Sequence, residues 1–463
     1  MPHSDGSGIS PQAHRLAAYV SAALDTPLPP EVALKTRCHI LDTVAAIVSG
    51  SRLKVGRLAT AFAEAQGGKA EATLIGTAQR VPAVVAALAN GMSAHADETD
   101  DSHLRGRFHP GCGILPAAFA AGEACGSSGE DLIRAVALGY DIGARAVMSL
   151  GFARPDTALH SSHSLGPLFG ATAAAAALYR LDPTQVRHAF SYAAQQASGI
   201  PFWQRDSEHV EKAFDFGGMG ARNGMTAVAL VAAGFTAVDD PFSGRHSLFT
   251  AFGEKPDPEV LVADLGTRFE ILDASIKKWC VGSPIQSVLD AVTALIAAHD
   301  IRPQEIAGVT ITVPDDRIHI IDNRTMPAVC AQHLAALALS DGTVTFDSTH
   351  DESRMSDPAV LAVRSKIRLL PSAELTAARP ARQAIVEIER TGKETVRHHA
   401  KAVRGTPDNP MEVPEIVAKV EDLISPVMGK ARTEALIAAI LSLDTLETVR
   451  DLGPLLSLQD SSR

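Results

Sequence analysis

The chain has 463 residues, of which 46% are hydrophobic and 21% are charged, whereas only 5% are aromatic. Such a composition is typical of a globular protein and excludes a disordered or fibrous chain. Its 42 basic and 53 acidic residues give a net charge of −11, which argues against non-specific binding to nucleic acid or to an anionic membrane. We therefore expect no nucleic-acid and no membrane partner, and an anionic substrate would need a local basic pocket.

The N-terminal sequence MPHSDGSGISPQAH is polar and lacks the apolar core of a signal peptide, and no run of about 18 apolar residues occurs along the chain. We therefore expect a cytoplasmic protein. Five scattered cysteines without a CxxC pair predict neither a disulfide framework nor a structural zinc site. Most of them are interpreted as buried thiols.

Helical periodicity dominates the first 270 residues. Segment 31–50 follows Pro29 and Pro30, repeats apolar residues at spacings of three and four, and stops at Gly50. Because small side chains let helix axes approach closely, several helices of this region are predicted to be buried on all sides. Further helices of this Ala- and Gly-rich kind are predicted at 81–96, 113–126, 129–150, 170–181 and 224–235.

The pattern changes after about residue 270. Alternating apolar and polar residues predict strands at 306–315, at 365–371 and on both sides of a Thr-Gly turn within 384–400. Helical periodicity predicts helices at 285–300 and 329–342, and it returns in the tail at 415–424 and 432–443.

These elements predict a mainly α fold with two domains. The first is a large all-helical domain over residues 1–270, completed by 405–463. The second is a smaller α+β domain over 271–404.

The densest group of polar residues follows the second of these predicted helices. Three interpretations remain open: a metal site, a solvated acidic loop, or a catalytic loop in which carboxylates orient histidines and basic side chains bind substrate carboxylates. No fixed ligand spacing such as HExxH supports a metal site, so we assign no metal. The group comprises His95, Asp97, Glu98, Asp100, Asp101, His103, Arg105, Arg107 and His109.

Three smaller basic groups follow. His160 and His163 precede a Gly-rich helix start, and helix N-termini attract anions. Lys212 stands just before a group of glycines, and Lys277 and Lys278 adjoin a tryptophan. Burial beside an indole would lower a lysine pKa toward that of a useful base. Structural histidines, a surface lysine and a solvated lysine pair are the alternative interpretations.

Several common catalytic motifs are absent from the sequence. It contains no GxGxxG after a strand, no GxxxxGK[ST] and no GxSxG. Acid–base chemistry without a cofactor is therefore the simplest enzymatic hypothesis, and we expect no cofactor.

The segments HADETDD, HPGCGILPAAFAAGE and ALGYDIGAR resemble, in order and spacing, the central signature of the MmgE/PrpD family. The resemblance extends from ILDTVAAIVSGS near the start, through GMTAVALVAAGFT, to Lys277, and it covers nearly the whole chain. It implies a large all-helical domain, a smaller α+β domain, an active site in the cleft between them, and a homodimer.

The resemblance also implies roles for individual residues. His109 stands at the active-site histidine of the family, and Lys277 at the lysine of its Lys-x-Tyr-Pro motif. Either His160 or His163 matches a third basic position, and Lys212 lies within one residue of a further family lysine.

We expect these basic residues to form one electropositive cleft that binds a polyanionic small molecule. Arg105 and Arg107 are predicted to bind substrate there, together with His109, Lys212 and Lys277.

At four places the sequence departs from the family pattern. Glu98 replaces an aspartate of the decarboxylase-like members, and Trp279-Cys280 replaces the common Tyr-Pro. Gln286 stands where a histidine is expected, and His333 stands where decarboxylase-like members carry a tyrosine. These changes argue against simple methylcitrate dehydration or cis-aconitate decarboxylation, and they leave Glu98 and His333 as predicted substrate contacts.

The reactions of the family share a bond made or broken at the carbon next to a carboxylate. Such a site needs a positioned base and preorganised positive donors. We expect epimerisation of a small polycarboxylate, with iminodisuccinate as the best candidate. Lys277 would be one base and Tyr140 or a histidine the other, although Tyr140 is equally well explained as a packed helix residue.

Two other functions are kept as alternatives. One is a dehydratase or decarboxylase of a 2-methylcitrate- or aconitate-like tricarboxylate. The other is a catalytically inactive scaffold that keeps the family fold.

Overall fold

The computed structural model describes residues 8–152 and 159–458. The chain divides into two compact units. The first comprises the residues up to 96, residues 100–274 and the residues from 423 onward; the second comprises 97–99 and 275–422. Residues 97–99 and 405–422, which the sequence pattern assigned to the helical domain, therefore lie in the second unit.

The first unit is helical, as predicted, and two pairs of short strands accompany the helices along the chain. The strands are β1 (Ala72–Thr73), β2 (Arg80–Val81), β3 (Ser102–His103) and β4 (Ala274–Ser275). The helices up to residue 252 are α1 (Pro11–Ala22), α2 (Pro30–Gly50), α3 (Lys54–Gln66), α4 (Ala83–Ala94), α5 (Gly111–Cys125), α6 (Gly129–Ser149), α7 (Ser162–Leu178), α8 (Pro183–Gln195), α9 (Val210–Ala213), α10 (Met219–Ala232) and α11 (Leu248–Phe252).

Helices α6 and α7 approach closely through glycine. A Cβ atom on Gly143 would lie 2.7 Å from the carbonyl oxygen of Gly166, and one on Gly170 would lie 2.6 Å from that of Gly139. Only glycine fits at such distances, so these glycines allow α6 and α7 to cross in close contact. The predicted helix at 170–181 accordingly begins earlier, at Ser162.

The all-round burial predicted for several helices is confirmed. Helices α5 and α7 are buried along nearly their whole length, and Ala and Gly supply much of the buried surface. Small side chains thus build the core of the first unit, which explains how a chain with few aromatic residues packs.

The second unit contains a four-stranded sheet in the order β6-β5-β7-β8. Strand β5 pairs in parallel with β6 and antiparallel with β7, and β7 pairs antiparallel with β8. The strands are β5 (Ile306–Pro314), β6 (Ile367–Ser372), β7 (Ala384–Arg390) and β8 (Val396–Ala400). The helices are α12 (Gln286–His299), α13 (Ile318–Ile321), α14 (Ala331–Asp341), α15 (Phe346–His350), α16 (Pro358–Arg364) and α17 (Ala373–Ala377).

The core of the second unit follows from strand alternation. Val309, Ile311 and Val313 of β5 are buried, and they share one hydrophobic cluster with Val288 of α12 and Leu334 of α14. The predicted Thr-Gly turn joins β7 to β8, so both halves of segment 384–400 are strands as expected.

The tail is helical, as predicted. It forms α18 (Val413–Met428), α19 (Lys430–Leu441) and α20 (Gly453–Leu456).

Among the described residues, no helix is long and apolar enough to cross a membrane.

All five cysteines are free thiols, and four of them are buried. The interpretation of most cysteines as buried thiols is therefore confirmed, with Cys125 as the exposed exception.

Candidate active site

Three histidines of the first unit contact one phenylalanine ring and a fourth contacts one of the three, and we call this group the histidine cluster. The Phe216 ring stacks on His163, with ring centroids 3.8 Å apart, and on His95, with centroids 4.4 Å apart. The His95 ring lies 5.0 Å from both His109 and His209, and His109 lies 5.4 Å from His163. Residues far apart in sequence therefore present their imidazoles to one place.

Element ends position these rings. His95 caps the C-terminus of α4, His109 lies just before α5, and His163 lies in the first turn of α7. Phe216 belongs to a π-helical turn, a feature frequent at functional sites. A Cβ atom on Gly217 would lie 2.1 Å from the carbonyl oxygen of Gly91, so this turn packs directly on α4 through glycine.

The buried carboxylate of Asp100 connects two of the histidines. Its Oδ2 lies 2.9 Å from Nδ1 of His95, and its Oδ1 lies 3.2 Å from Nδ1 of His109. An ionised carboxylate only accepts hydrogen bonds, so Nδ1 of His95 carries the proton of its hydrogen bond to Asp100, whereas the contact of Asp100 with His109 is an ion pair when that imidazole is protonated. In a neutral imidazole, Nε2 is then the atom that accepts a proton from a substrate.

His163 and Lys212 set the electrostatics of the cluster. Burial holds the pKa of His163 well below its ordinary value, and the charges of His109, Lys212 and His95 lower it further. The ammonium of Lys212 lies 5.2 Å from the centroid of Phe216 and 5.8 Å from that of Trp203. The neutral imidazole of His163 thus lies close to the positive charges of Lys212 and of its histidine neighbours. An anionic ligand would reduce the repulsion among these charges.

Asp215 is a candidate that the sequence analysis missed. Its Oδ2 accepts a hydrogen bond of 2.6 Å from the Ser161 hydroxyl, at the residue that precedes α7. Burial raises the pKa of Asp215 to about 7; the nearby Glu211 also raises it, whereas the Ser161 hydrogen bond lowers it. The only sequence signal is an aspartate between two phenylalanines in FDFGG, beside the ring that stacks on the histidines.

Asp101 organises a second buried network behind the cluster. It accepts hydrogen bonds from the Tyr140 hydroxyl at 2.6 Å and from the Gly111 amide at 2.9 Å, and His39 Nδ1 lies 2.7 Å away. Burial and then the charge of Asp101 raise the pKa of Tyr140 well above its ordinary value. The phenol therefore keeps its proton, which fits a role in positioning the start of α5 better than the role of second base.

Lys277 lies in the second unit, where it holds the segment 97–99. Its ammonium donates a hydrogen bond of 2.8 Å to the carbonyl oxygen of Glu98 and lies 3.7 Å from Oε2 of the same residue. Both side chains are buried. Lys419 binds the carbonyl oxygen of Thr99 at 3.0 Å, so two lysines fix this segment.

The departures after Lys277 have a structural explanation. Lys278, rather than Lys277, lies over the Trp279 ring, with its ammonium 4.6 Å from the centroid. The Gln286 amide donates to the carbonyl oxygens of Trp279 and Val281 and accepts from the Trp279 amide. A neutral histidine has one donor and one acceptor, so it would not make all three bonds.

His333 lies on α14 in the second unit and is fully buried. Neither of its ring nitrogens has a hydrogen-bond partner within the described residues. Burial, followed by the charges of Arg364 and Arg354, lowers the pKa of His333 to about 4, so the ring is neutral at neutral pH. Its predicted contact with substrate remains a proposal.

Three predicted site residues have other surroundings. His160 packs against Phe252, with ring centroids 4.8 Å apart, so His163 is the histidine that joins His109. Arg105 pairs with Asp273 at 3.3 Å, and the guanidinium of Arg107 is exposed and lies 3.5 Å from a backbone carbonyl. Carboxylate and backbone contacts thus account for both arginines here, and their contribution to an electropositive substrate cleft stays a prediction.

Two groups of side chains have the composition of a metal site. His95, Asp100 and His109 each offer a ligand atom within 4.8 Å of the others, and so do His103, Glu270 and Asp273. Imidazole and carboxylate would suit Zn²⁺ or Fe²⁺. In the first group Asp100 is already paired with both histidines, and arginines pair with the carboxylates of the second, so we assign no metal to either.

Comparison with known proteins gives two family matches that together span most of the chain. Residues 14–261 match the MmgE/PrpD N-terminal domain, and residues 279–445 match the MmgE/PrpD C-terminal domain.

Curated relatives resemble the chain over most of its length. A cis-aconitate decarboxylase-like protein (oryM) of Aspergillus oryzae is 26% identical over 478 residues, which covers 96% of each chain. The cis-aconitate decarboxylase of Homo sapiens is 26% identical over 361 residues, covering 72% of this chain and 71% of the relative. That of Aspergillus terreus is 26% identical over 312 residues, covering 63% and 61%.

Proposed function

The chain belongs to the MmgE/PrpD family, and from this premise we propose that it is a lyase that decarboxylates a cis-aconitate-like tricarboxylate with its own acid–base side chains. The observation that carries the proposal is the histidine cluster, in which Asp100 orients His109 beside the neutral imidazole of His163 and the ammonium of Lys212.

Charge supports a polycarboxylate substrate. The chain carries a net charge of −11, so a polyanion needs a local set of positive groups in order to bind. Lys212 and protonated histidines of the cluster supply such a set, and a bound carboxylate would favour the charged imidazoles. Proton donors thus become available where a substrate anion binds.

Decarboxylation requires one bond cleavage and one proton delivery. The C–C bond to the carboxylate breaks, CO₂ leaves, and the electron pair remains on the carbon, where a conjugated carboxylate delocalises it. A protonated side chain then delivers a proton to the carbon. We assign this donation to His109, because the Asp100 carboxylate stabilises the imidazolium and helps it to recover its proton from solvent.

Other residues receive supporting roles in the proposal. His163 and Lys212 are assigned to substrate carboxylates in the first unit. In the second unit, Lys277, Glu98 and His333 keep the substrate contacts that the family resemblance implies, and each is testable by its own variant.

The expected epimerisation of iminodisuccinate finds no support among the curated relatives, which carry decarboxylase names. Decarboxylation or dehydration of a tricarboxylate, first kept as an alternative, fits those names better. Epimerisation therefore becomes one outcome of the test.

Proton NMR in deuterated water tests the proposal with cis-aconitate, 2-methylcitrate and iminodisuccinate as separate substrates. We expect CO₂ release from cis-aconitate and a product that carries one solvent deuterium on carbon. Loss of water without CO₂ would make the protein a dehydratase. Deuterium exchange at the α-carbon of iminodisuccinate with interconversion of its stereoisomers would establish the epimerase instead.

A further inference from the structure

An open surface depression of about 600 Å³, called the cavity below, lies wholly within the second unit, in a chain region that the proposed function does not use. This volume is in the range of small-molecule sites. One acidic side chain, that of Asp290, lines the cavity. Five basic side chains line it as well, namely Lys278, His398, His399, Lys401 and Arg404.

The acidic wall of this cavity is already engaged. Oδ1 of Asp290 accepts a hydrogen bond of 3.0 Å from the Trp279 indole, and Oδ2 accepts one of 2.9 Å from the Arg404 amide. The Arg404 guanidinium is paired with Glu415 and also donates to Asn409 at 2.7 Å. The charged groups of Asp290 and Arg404 are thus already paired within the protein. The remaining basic side chains determine what the cavity binds.

Lys278 and Lys401 bring ammonium groups to the cavity. Within the described part of the chain, neither makes an ion pair with a carboxylate closer than 4.0 Å, although Asp290 and Glu415 feel the charge of Lys278. Lys278 is half-buried, and its contact with the Trp279 ring at 4.6 Å holds the ammonium in place.

The histidines show that positive charge accumulates here. The pKa of His399 is lowered by burial and then by Lys401, Arg397 and His398. His398 and His399 are both half-buried, and Nε2 of His399 lies 2.7 Å from the Gln383 amide oxygen. Repulsion among these groups would be relieved by a bound anion.

We propose that this cavity is a binding site for a small multivalent oxyanion, the class that includes pyrophosphate, phosphate esters and polycarboxylates. Its positive lining is opposite in sign to the net charge of −11 of the chain. The half-buried Lys278 and the exposed Lys401 form charge-assisted hydrogen bonds with such oxygens, and the two half-buried imidazoles lie beside them. The site is separate in residue composition from the histidine cluster, so its occupancy does not depend on the proposed lyase activity.

Isothermal titration of the full chain with sodium pyrophosphate, at constant ionic strength, tests this site. The double variant Lys278→Ala/Lys401→Ala removes two ammonium groups from the cavity. The matched control Lys69→Ala/Lys430→Ala changes the net charge equally at two side chains that are each 83% exposed. We expect one pyrophosphate per chain for wild type and control, and at least about tenfold weaker binding for the cavity variant.

A parallel titration with cis-aconitate distinguishes the ligand classes. Tighter binding of pyrophosphate assigns the site to phosphates. Tighter binding of cis-aconitate that depends on the same two lysines assigns it to polycarboxylates. No pyrophosphate binding by wild type at about 10 mM, or equal affinity of cavity variant and control, would overturn the proposal. The variant His109→Gln separates it from the proposed function. Unchanged pyrophosphate binding by that variant supports the cavity, whereas loss of binding would place the anion at the histidine cluster.

Discussion

Asp100 and Asp101 are neighbours in sequence but serve different partners. Asp100 contacts His95 and His109. Asp101 accepts hydrogen bonds from the Tyr140 hydroxyl and from the backbone amide at the start of α5, and it contacts His39. Both carboxylates are fully buried, so each depends on its donors for stabilisation. Asp100 therefore orients the candidate acid His109, and Asp101 fixes the start of α5, ten residues further along the chain.

The variant Asp100→Asn tests the first of these functions. It keeps the size of the side chain but removes the charge that stabilises an imidazolium at His109. We expect turnover of cis-aconitate to fall by about 10²–10⁴, the range of one acid–base group. Steady-state kinetics measure this effect, and circular dichroism shows whether the variant is folded. Turnover within about twofold of wild type would remove Asp100 from the mechanism.

The two histidines near the start of α7 separate by their contacts. His163 stacks on Phe216 and neighbours His109, whereas His160 packs on Phe252. We therefore expect His163→Gln to lower kcat/KM for cis-aconitate at least about tenfold more than His160→Gln does. The reverse order would return the family's third basic position to His160.

The membership of the histidine cluster shows what sequence reasoning misses at this scale. His109 and His163 were predicted, because a motif or a helix start marks them. Asp215, His209 and Phe216 were not. Nothing in the local sequence indicates that a π-helical turn brings Asp215 and Phe216 beside Ser161 and the histidines, or that His209, just before α9, lies beside His95. The ion pairs of Arg105 with Asp273 and Glu270 likewise join residues far apart in sequence.

At the scale of elements, Tyr140 links α6 to the start of α5. Its hydroxyl donates to Asp101, which also accepts from the Gly111 amide. Tyr140→Phe would leave a buried carboxylate with one donor fewer, which costs about 1–3 kcal/mol in the free energy of unfolding. Urea unfolding measures that loss.

The same variant separates positioning from catalysis. If Tyr140 is a positioning residue, we expect Tyr140→Phe to keep the shape of the pH–rate profile and to lose less turnover than His109→Gln. If Tyr140 were the second base, one limb of the profile would disappear and turnover would fall as far as in the His109 variant.

Helix α14 holds a titratable group in its buried face. The pKa of His333 is about 4 in the folded chain against an ordinary value of 6.5, because burial and two arginines disfavour its charge. As the pH falls, His333 therefore becomes protonated in the unfolded chain at a higher pH than in the folded chain. His333 contributes stability above pH 6.5, and about 3 kcal/mol of it is lost as the pH falls from 6.5 to 4.

Urea unfolding between pH 7 and pH 4 checks this linkage. We expect His333→Leu to show a shallower decline in unfolding free energy than wild type, whatever its absolute stability. The exposed His14 serves as control, and His14→Leu is expected to keep the wild-type slope. Equal slopes for all three proteins would contradict the effect of burial on His333.

The elements themselves were largely predictable from periodicity. The strands at 306–315 and 384–400 and helices α2, α4, α5 and α6 appear where the pattern placed them, whereas α1, α3 and α8 were not predicted. The start of α7 was shifted because Gly166 and Gly170 look like a loop in sequence, whereas in the structure they serve a helix crossing that periodicity does not register.

At the scale of the whole molecule, titratable groups occur in both units. The first unit contains the histidine cluster and the Asp101 network, and the second contains the Lys277–Glu98 contact, His333 and the basic cavity. The net charge of −11 therefore conceals two local positive sets. The mainly α fold and the family followed from sequence, and a homodimer remains a prediction of the family resemblance.

The central claim is that the histidine cluster decarboxylates a cis-aconitate-like substrate. The most direct measurement is the initial rate of labelled CO₂ release from carboxyl-labelled cis-aconitate by wild type, His109→Gln and His14→Gln, the last at an exposed position of α1. We expect CO₂ release by wild type and His14→Gln at equal rates, and a loss of about 10²–10⁴ in the rate of His109→Gln. Release by the folded His109→Gln variant at the wild-type rate, or none by wild type, would contradict it.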